Sequence, residues 1–230
     1  MKTRIVALVL CTIFSTLTNA QKSCAILRVG VNLANISVTD NGKVDEAGTL
    51  TGFQAGIVGD IRVAGIFYIQ PGLLFTGKGT KSESGDPSGL NYSWATTHPY
   101  YLELPLNFVL KTPVVDGDRF FAGAGVYVAM GIAGKLKNDG RVAGVDYSNE
   151  ENIKFSDDDP ATLEYEEGAG FGIIKRFDHG LNGTIGVESK SIVLSVNYGW
   201  GLAKLQSGSN SSVDNNNKHR VVSILLGVKL

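Results

Sequence analysis

Several residues are of the types that chemistry uses, yet each lacks the right spacing or company. Gly72-x4-Gly77-Lys78 has the glycines and the lysine of a loop that cradles a phosphate. Gly79, however, stands where a hydroxyl would hold magnesium, and the surrounding run alternates like a strand instead of opening a helix. The three histidines, His98, His179 and His219, lie far apart, without the short intervals of a metal centre. Asp157-Asp158-Asp159 offers hard oxygen ligands of the kind calcium takes, although three acids before Pro160 read more simply as a solvated loop. Asp86, Ser93 and His98 supply an acid, a nucleophile and a base within one polar stretch, but nothing in their spacing supports a catalytic set. No catalysis, cofactor or metal is therefore expected. Five further charges, Arg28, Asp60, Arg62, Glu103 and Lys111, stand isolated among small or apolar neighbours, Glu166 stands beside Glu167, and what these six do depends on the elements that carry them.

Those elements are strands. From Tyr100 to Lys111 a period of two puts Tyr100, Leu102, Leu104, Leu106, Phe108 and Leu110 on one face, against Tyr101, Glu103, Pro105, Asn107, Val109 and Lys111 on the other. Similar alternation predicts strands over 25–36, 51–62, 66–78, 120–134, 163–175, 192–202 and 220–230. Pro71 removes one ladder bond and predicts a bulge or bend in the third. A turn at Asp178-His179-Gly180 closes the sixth strand, with a reversal near Glu188 to Ser191 as the alternative. The connections then read long, short, long, short, long, short, long. The long ones fall at 37–50, 79–97, 135–162 and 203–217, and Asp116-Gly117 marks one of the short turns.

That order of connections is what an even-stranded membrane barrel with both termini in the periplasm requires. The non-greasy face supports the same reading. It holds Gly30, Asn32, Gln54, Gly56, Gly123, Gly125, Gly168, Gly170, Gly172, Ser195, Asn197 and Gly199, residues too small and uncharged for an ordinary wetted surface but suited to a narrow barrel interior. The expected fold is all-β, an eight-stranded antiparallel up-and-down transmembrane β-barrel. Phe75, Tyr100, Phe108, Phe120, Tyr165 and Trp200 would sit in interfacial girdles. Arg28, Asp60, Arg62, Glu103, Lys111 and Glu166 would point inward, where charges must pair or reach water. An interior ion-pair network bracing the barrel is the expectation.

Residues 1–20 read as a secretory signal: Lys2 and Arg4, then an apolar stretch to Leu17, then Thr18-Asn19-Ala20 before Gln21. The barrel domain would occupy 21–230. Cys11 leaves with the signal, so Cys24 has no partner for an internal disulfide. Without Lys2 and Arg4 the chain carries 19 basic against 22 acidic residues, which offers nothing to nucleic acid.

The stretches GVNLANIS (30–37), TGFQAGI (51–57), IQPGLLFTGKG (69–79), YLELPLNFVLK (101–111), FFAGAGVYVAMG (120–131), EEGAGFG (166–172) and VNYGWGLAKL (196–205), with NNKHRVVSILLGVKL closing the chain, resemble in order and spacing the PorT-like outer-membrane β-barrel family, also described as porin family or outer membrane protein β-barrel domain. Gly72 stands where such sequences often have an acid, and Leu230 where a terminal aromatic is usual. The resemblance implies a barrel in the outer membrane of a double-membraned bacterium, in a family with no agreed activity. Its expected partners are outer-membrane lipid and lipopolysaccharide, the barrel-insertion machinery during assembly, and a protein bound through the long outer loops. A structural or binding role is the leading expectation. A small selective channel and an outer-membrane acyltransferase or protease using Asp86, Ser93 and His98 are the alternatives.

Overall fold

The computed structural model describes residues 23–40, 43–46, 48–86, 88–156, 173–205 and 217–230. Within them the chain forms β1 (Cys24–Asp40), β2 (Lys43–Glu46), β3 (Leu50–Ala64), β4 (Phe67–Gly77), β5 (Thr80–Gly85), β6 (Tyr92–Lys111), β7 (Arg119–Val142), β8 (Val145–Asn152), β9 (Lys154–Phe155), β10 (Ile173–Ile174), β11 (Phe177–Glu188), β12 (Ile192–Gly201) and β13 (Lys218–Lys229). Eight of these close a ring in the order β1, β3, β4, β6, β7, β11, β12, β13, and β13 returns to β1 with Leu27 opposite Val228. Every pair around the ring is antiparallel. Closure satisfies the backbone groups that hydrocarbon cannot.

Alternation decides what faces where. Along β6, Leu102, Leu104, Leu106, Phe108 and Leu110 look outward, with Leu104 52% and Phe108 61% exposed, while Tyr101, Glu103, Asn107, Val109 and Lys111 are buried inside. The other ring strands repeat this: Val29, Ile57, Val126, Ile185, Leu194 and Ile224 lie outside, and Asn32, Gln54, Thr184 and Ser195 within. So continuous an apolar exterior is unsustainable in water and matches a lipid-facing wall. Phe53, Phe75 and Tyr100 stack along the outer rim, with ring centroids 5.5 and 5.4 Å apart. Phe108 and Phe120 mark the opposite rim.

Short turns join the strands at the periplasmic end. Gly65 turns β3 into β4 with φ 52°, Asp116 and Gly117 turn β6 into β7 with φ 54° and 95°, and Ser189–Ser191 separate β11 from β12. The start of β1 and the end of β13 lie at this end, where the Leu230 amide donates to the Ala25 carbonyl at 2.8 Å.

The expected map needs three corrections, and one further expectation falls mostly outside the described residues. The sixth ring strand is Phe177–Glu188, and of the two expected reversals the one near Glu188 to Ser191 is found, at Ser189–Ser191, not the turn at Asp178-His179-Gly180. Most of the expected strand 163–175, with Tyr165, Glu166 and its glycines, lies outside the described residues; its end, Ile173–Ile174, forms a two-residue parallel pair with Lys154–Phe155. Pro71 makes no bulge: pairing of β4 with β6 keeps one register on both sides of it, and the shift in β3–β4 falls at Arg62/Ala64. Finally, much of the expected outer loops is strand. β1 continues to Asp40 to pair with β2, β5 pairs with the first residues of β6, and β7 runs on to pair with β8. A tilted crossing needs ~9–11 residues, whereas β7 has 24. The surplus of β6 and β7, flanked by β5 and β8, rises as a four-stranded blade outside the bilayer. Polar residues can line both faces of such a ribbon because water bathes both, so a search for one apolar face reads it as loop.

Candidate functional site

Alternation of β1, β3, β6, β7, β11 and β13, with Lys78 just past the end of β4, delivers charged side chains into the lumen in two clusters, one toward each end. In the periplasmic cluster Lys111 Nζ lies 2.6 Å from Asp60 Oδ2 and 2.7 Å from Glu188 Oε2, all three buried. Glu188 is also paired with Arg119, and Lys229 Nζ approaches it at 3.4 Å. Gln70 accepts from Arg28 at 3.1 Å and donates to Asp60 at 2.9 Å, joining Arg28 to the same carboxylate. The Tyr68 ring lies 4.4 Å from Lys111 Nζ, a cation–π contact. Ile26, Val109, Phe121 and Val193 pack with Tyr68 and exclude water from this end.

The outer cluster repeats one cation between two acids. Lys78 Nζ is 2.9 Å from both Glu103 Oε2 and Asp178 Oδ2, and the Tyr127 hydroxyl donates to Asp178 Oδ2 at 3.0 Å. The rings of Tyr127 and Tyr101 lie 4.2 and 5.2 Å from the ammonium, and His219 Nε2 is 3.3 Å from the Tyr101 hydroxyl. Above them Ile36, Leu136, Ile153, Ile174 and Leu205 form a buried apolar cap over the mouth. Between the clusters lies a cavity of about 30 Å³ lined by Arg28, Gln54, Thr76, Asn107, Asn197 and Ser223, among others, which is room for one or two waters.

The expected interior charges are thus divided. Asp60 and Lys111 form a direct pair, Arg28 joins them through Gln70, and Glu103 belongs to the other cluster. Arg62 is a correction: its Nε donates to the Gly65 carbonyl at 2.8 Å in the exposed β3–β4 turn, where the register shift at Arg62/Ala64 ends the strand's alternation. Glu166 lies outside the described residues, as do Asp157-Asp158-Asp159 and residues 1–22.

A family model for the outer membrane protein beta-barrel domain matches residues 19–207. The chain belongs to this family. Among curated proteins none matches the chain. Solved structures similar to this outer-membrane barrel include neisserial surface protein A, at 12% identity over 91% of this chain and 99% of that one, TM-score 0.43. They also include the attachment invasion locus protein of Yersinia pestis, at 11% identity over 91% and 100%, TM-score 0.39, and the translocator domain of the autotransporter NalP from Neisseria meningitidis, at 9% identity over 99% and 95%, TM-score 0.33.

The barrel does not assemble the other candidate residues. Asp86 Oδ1 accepts from the Ser88 amide and hydroxyl at 2.9 and 2.6 Å in a loop turn. Ser93 Oγ is 3.4 Å from the Tyr147 hydroxyl on the blade, and His98 lies against the Tyr100 ring at 4.7 Å. Among the described residues no hydrogen bond joins the three, and no group of three or more His, Cys, Asp or Glu converges on a metal-sized site. Gly77 and Lys78 belong to the barrel wall and its outer cluster, so no phosphate loop forms.

Sequence reasoning put Lys78 and Tyr127 on the inward face of their strands without including them in the expected network, and missed Asp178, Glu188, Arg119 and His219 as lumen residues. Asp178 and Glu188 were hidden by the misplaced sixth strand. Its outward face, Phe177, Leu181, Ile185 and Val187, is interrupted by His179 and Gly183, which dilutes the greasy period that marks the other strands.

Proposed function

We propose that the barrel passes nothing through its body and acts at the cell surface, where the β5–β6–β7–β8 blade is presented to a partner protein. The observation that carries the reading is the doubly closed lumen. A solute would have to part Lys111 from Asp60 and Glu188, and Lys78 from Glu103 and Asp178, at sites where a buried ion separated from its partner costs several kcal/mol. The blade, by contrast, stands in water with Leu90, Val142 and Val145 exposed at its tip. The Gly144 amide donates to the Leu90 carbonyl at 3.0 Å and the Ala143 amide to Asn91 Oδ1 at 3.1 Å, so its two hairpins are tied together there.

In this reading lipid and lipopolysaccharide cover the outward wall, the insertion machinery handles the chain during assembly, and no reaction is catalysed. Reconstitution into planar bilayers tests it: the wild-type protein gives no single-channel steps above the bare membrane. Reproducible steps would sink the reading and favour a selective channel.

A further inference from the structure

β8 is the outermost strand of the blade. All eight of its residues, Val145–Asn152, are exposed, and among the described residues it pairs with β7 alone. The hairpin fixes which of its backbone groups are used. Val142 opposes Val145 across the two-residue turn Ala143-Gly144, whose φ angles of 51° and 83° suit the tight mirror-image turn of a hairpin. Antiparallel pairing then alternates, so Val145, Tyr147, Asn149 and Glu151 exchange hydrogen bonds with β7. The next bond of the series, from the Ile153 amide to the Gly134 carbonyl at 2.9 Å, has the same parity. The N–H and C=O groups of Asp146, Ser148 and Glu150 therefore point away from β7, at an edge that is free among the described residues.

We infer that this edge captures an extended segment of another protein, one carrying Lys or Arg at alternate positions, as a ninth strand on the β8 side of the blade. The inference rests on the surface-presentation reading above and names its partner's chemistry. Free edges are templates for strand addition, in which backbone bonds supply affinity and side chains supply selection. The side chains select here by charge: β8 contains Asp146, Glu150 and Glu151 and no basic residue. Two copies of β8 paired edge to edge would set carboxylates against carboxylates, which disfavours self-association. A basic strand reverses that sign. The chain already shows the match on the other side of β8, where Lys135 pairs with Glu150 and Arg141 Nε lies 2.7 Å from Asp146 Oδ1.

The probe is a dye-labelled peptide copying residues 134–142, GKLKNDGRV, which places Lys135, Lys137 and Arg141 on one face of a strand. Binding to the full-length barrel in detergent micelles is read by fluorescence anisotropy, with folding checked by heat-modifiable gel mobility. The wild type binds the peptide, and a peptide with proline at alternate positions does not bind. Ser148→Pro removes an edge N–H without touching the β7 ladder and weakens binding at least about tenfold, whereas Ser148→Ala leaves it unchanged. No binding by the wild type, or equal binding by a folded Ser148→Pro protein, overturns the inference. So does a wild-type dimer that Ser148→Pro dissolves, because the edge would then take a second copy. Each of these results in a barrel that does not conduct leaves the surface-presentation reading standing, and conductance alone would remove that reading.

Discussion

Replacing Lys111 with methionine isolates the physics of the periplasmic cluster. The substitution keeps an unbranched side chain against Tyr68 and Phe121 but deletes the charge that sits 2.6 Å from Asp60 and 2.7 Å from Glu188. The two acids suffer unequally. Glu188 keeps Arg119 and Lys229, whereas Asp60 keeps no direct ion pair, only the Gln70 amide at 2.9 Å with Arg28 behind it. The cost is thus mainly that of one buried carboxylate left without its counter-charge, about 3–5 kcal/mol. Equilibrium urea unfolding in micelles, followed by the fluorescence of Trp94 and Trp200, measures it by linear extrapolation. Adding Asp60→Asn removes the stranded charge, so the double variant recovers a large part of the loss, a coupling of about 1–3 kcal/mol. If Lys111→Met costs less than about 1 kcal/mol, or Asp60→Asn worsens it additively, water reaches this end of the lumen and the argument for a sealed barrel fails.

The remaining expectations concern the outer wall and the blade. Leu104→Arg places a cation on the lipid face in the middle of the β6 crossing and destabilises by about 2–4 kcal/mol, while Leu104→Ile is nearly silent; equal stability of the two in lipid vesicles would mean that this face is not against hydrocarbon. On the blade, hydrogen bonds from Lys137 and Ser148 hold the Asp139 carboxyl below the ordinary aspartate range. A lowered folded value means that its contribution to the β7–β8 ribbon is complete above the ordinary aspartate pKa and is lost as pH falls through the lowered one. An NMR titration finds the Asp139 carboxyl titrating lower in the protein than in the free 134–142 peptide, and coincident titrations would deny the contact.

What the sequence disclosed follows from what each face must exclude. The wall was legible because lipid tolerates so little: Leu102 to Leu110 can be read outward from parity alone, and parity then sends Glu103 and Lys111 inward. Pairing inside was less legible, because parity gives a side but no partner. Lys111 meets Glu188 across 77 residues and Lys78 meets Asp178 across 100, which only ring order brings together. The β11 error shows the same limit. Gly183 costs the strand one outward apolar residue, and nothing lies within 4 Å of where its Cβ would be, so lipid fills the gap that pattern reading took for a break. The blade escaped for the opposite reason, since water on both sides imposes no period.

These long-range pairs also account for register. Strands in a barrel share so much backbone geometry that a slip of two residues leaves every side chain on its proper face, and hydrophobic patterning cannot forbid it. The clusters can. Shifting β11 by two residues along β7 would carry Glu188 about 7 Å from Lys111 and Asp178 as far from Lys78, given the rise of a strand. Two buried carboxylates, Glu188 and Asp178, would then be drawn from their lysines at once, while Lys111 would keep Asp60 and Lys78 would keep Glu103. One lysine shared between two acids at each end pins β11 against β6 and against β4 with its following turn, neither of which pairs with β11 in the ring. The charges are therefore placed where they discriminate between registers that greasy faces would accept equally, whatever their net contribution to stability.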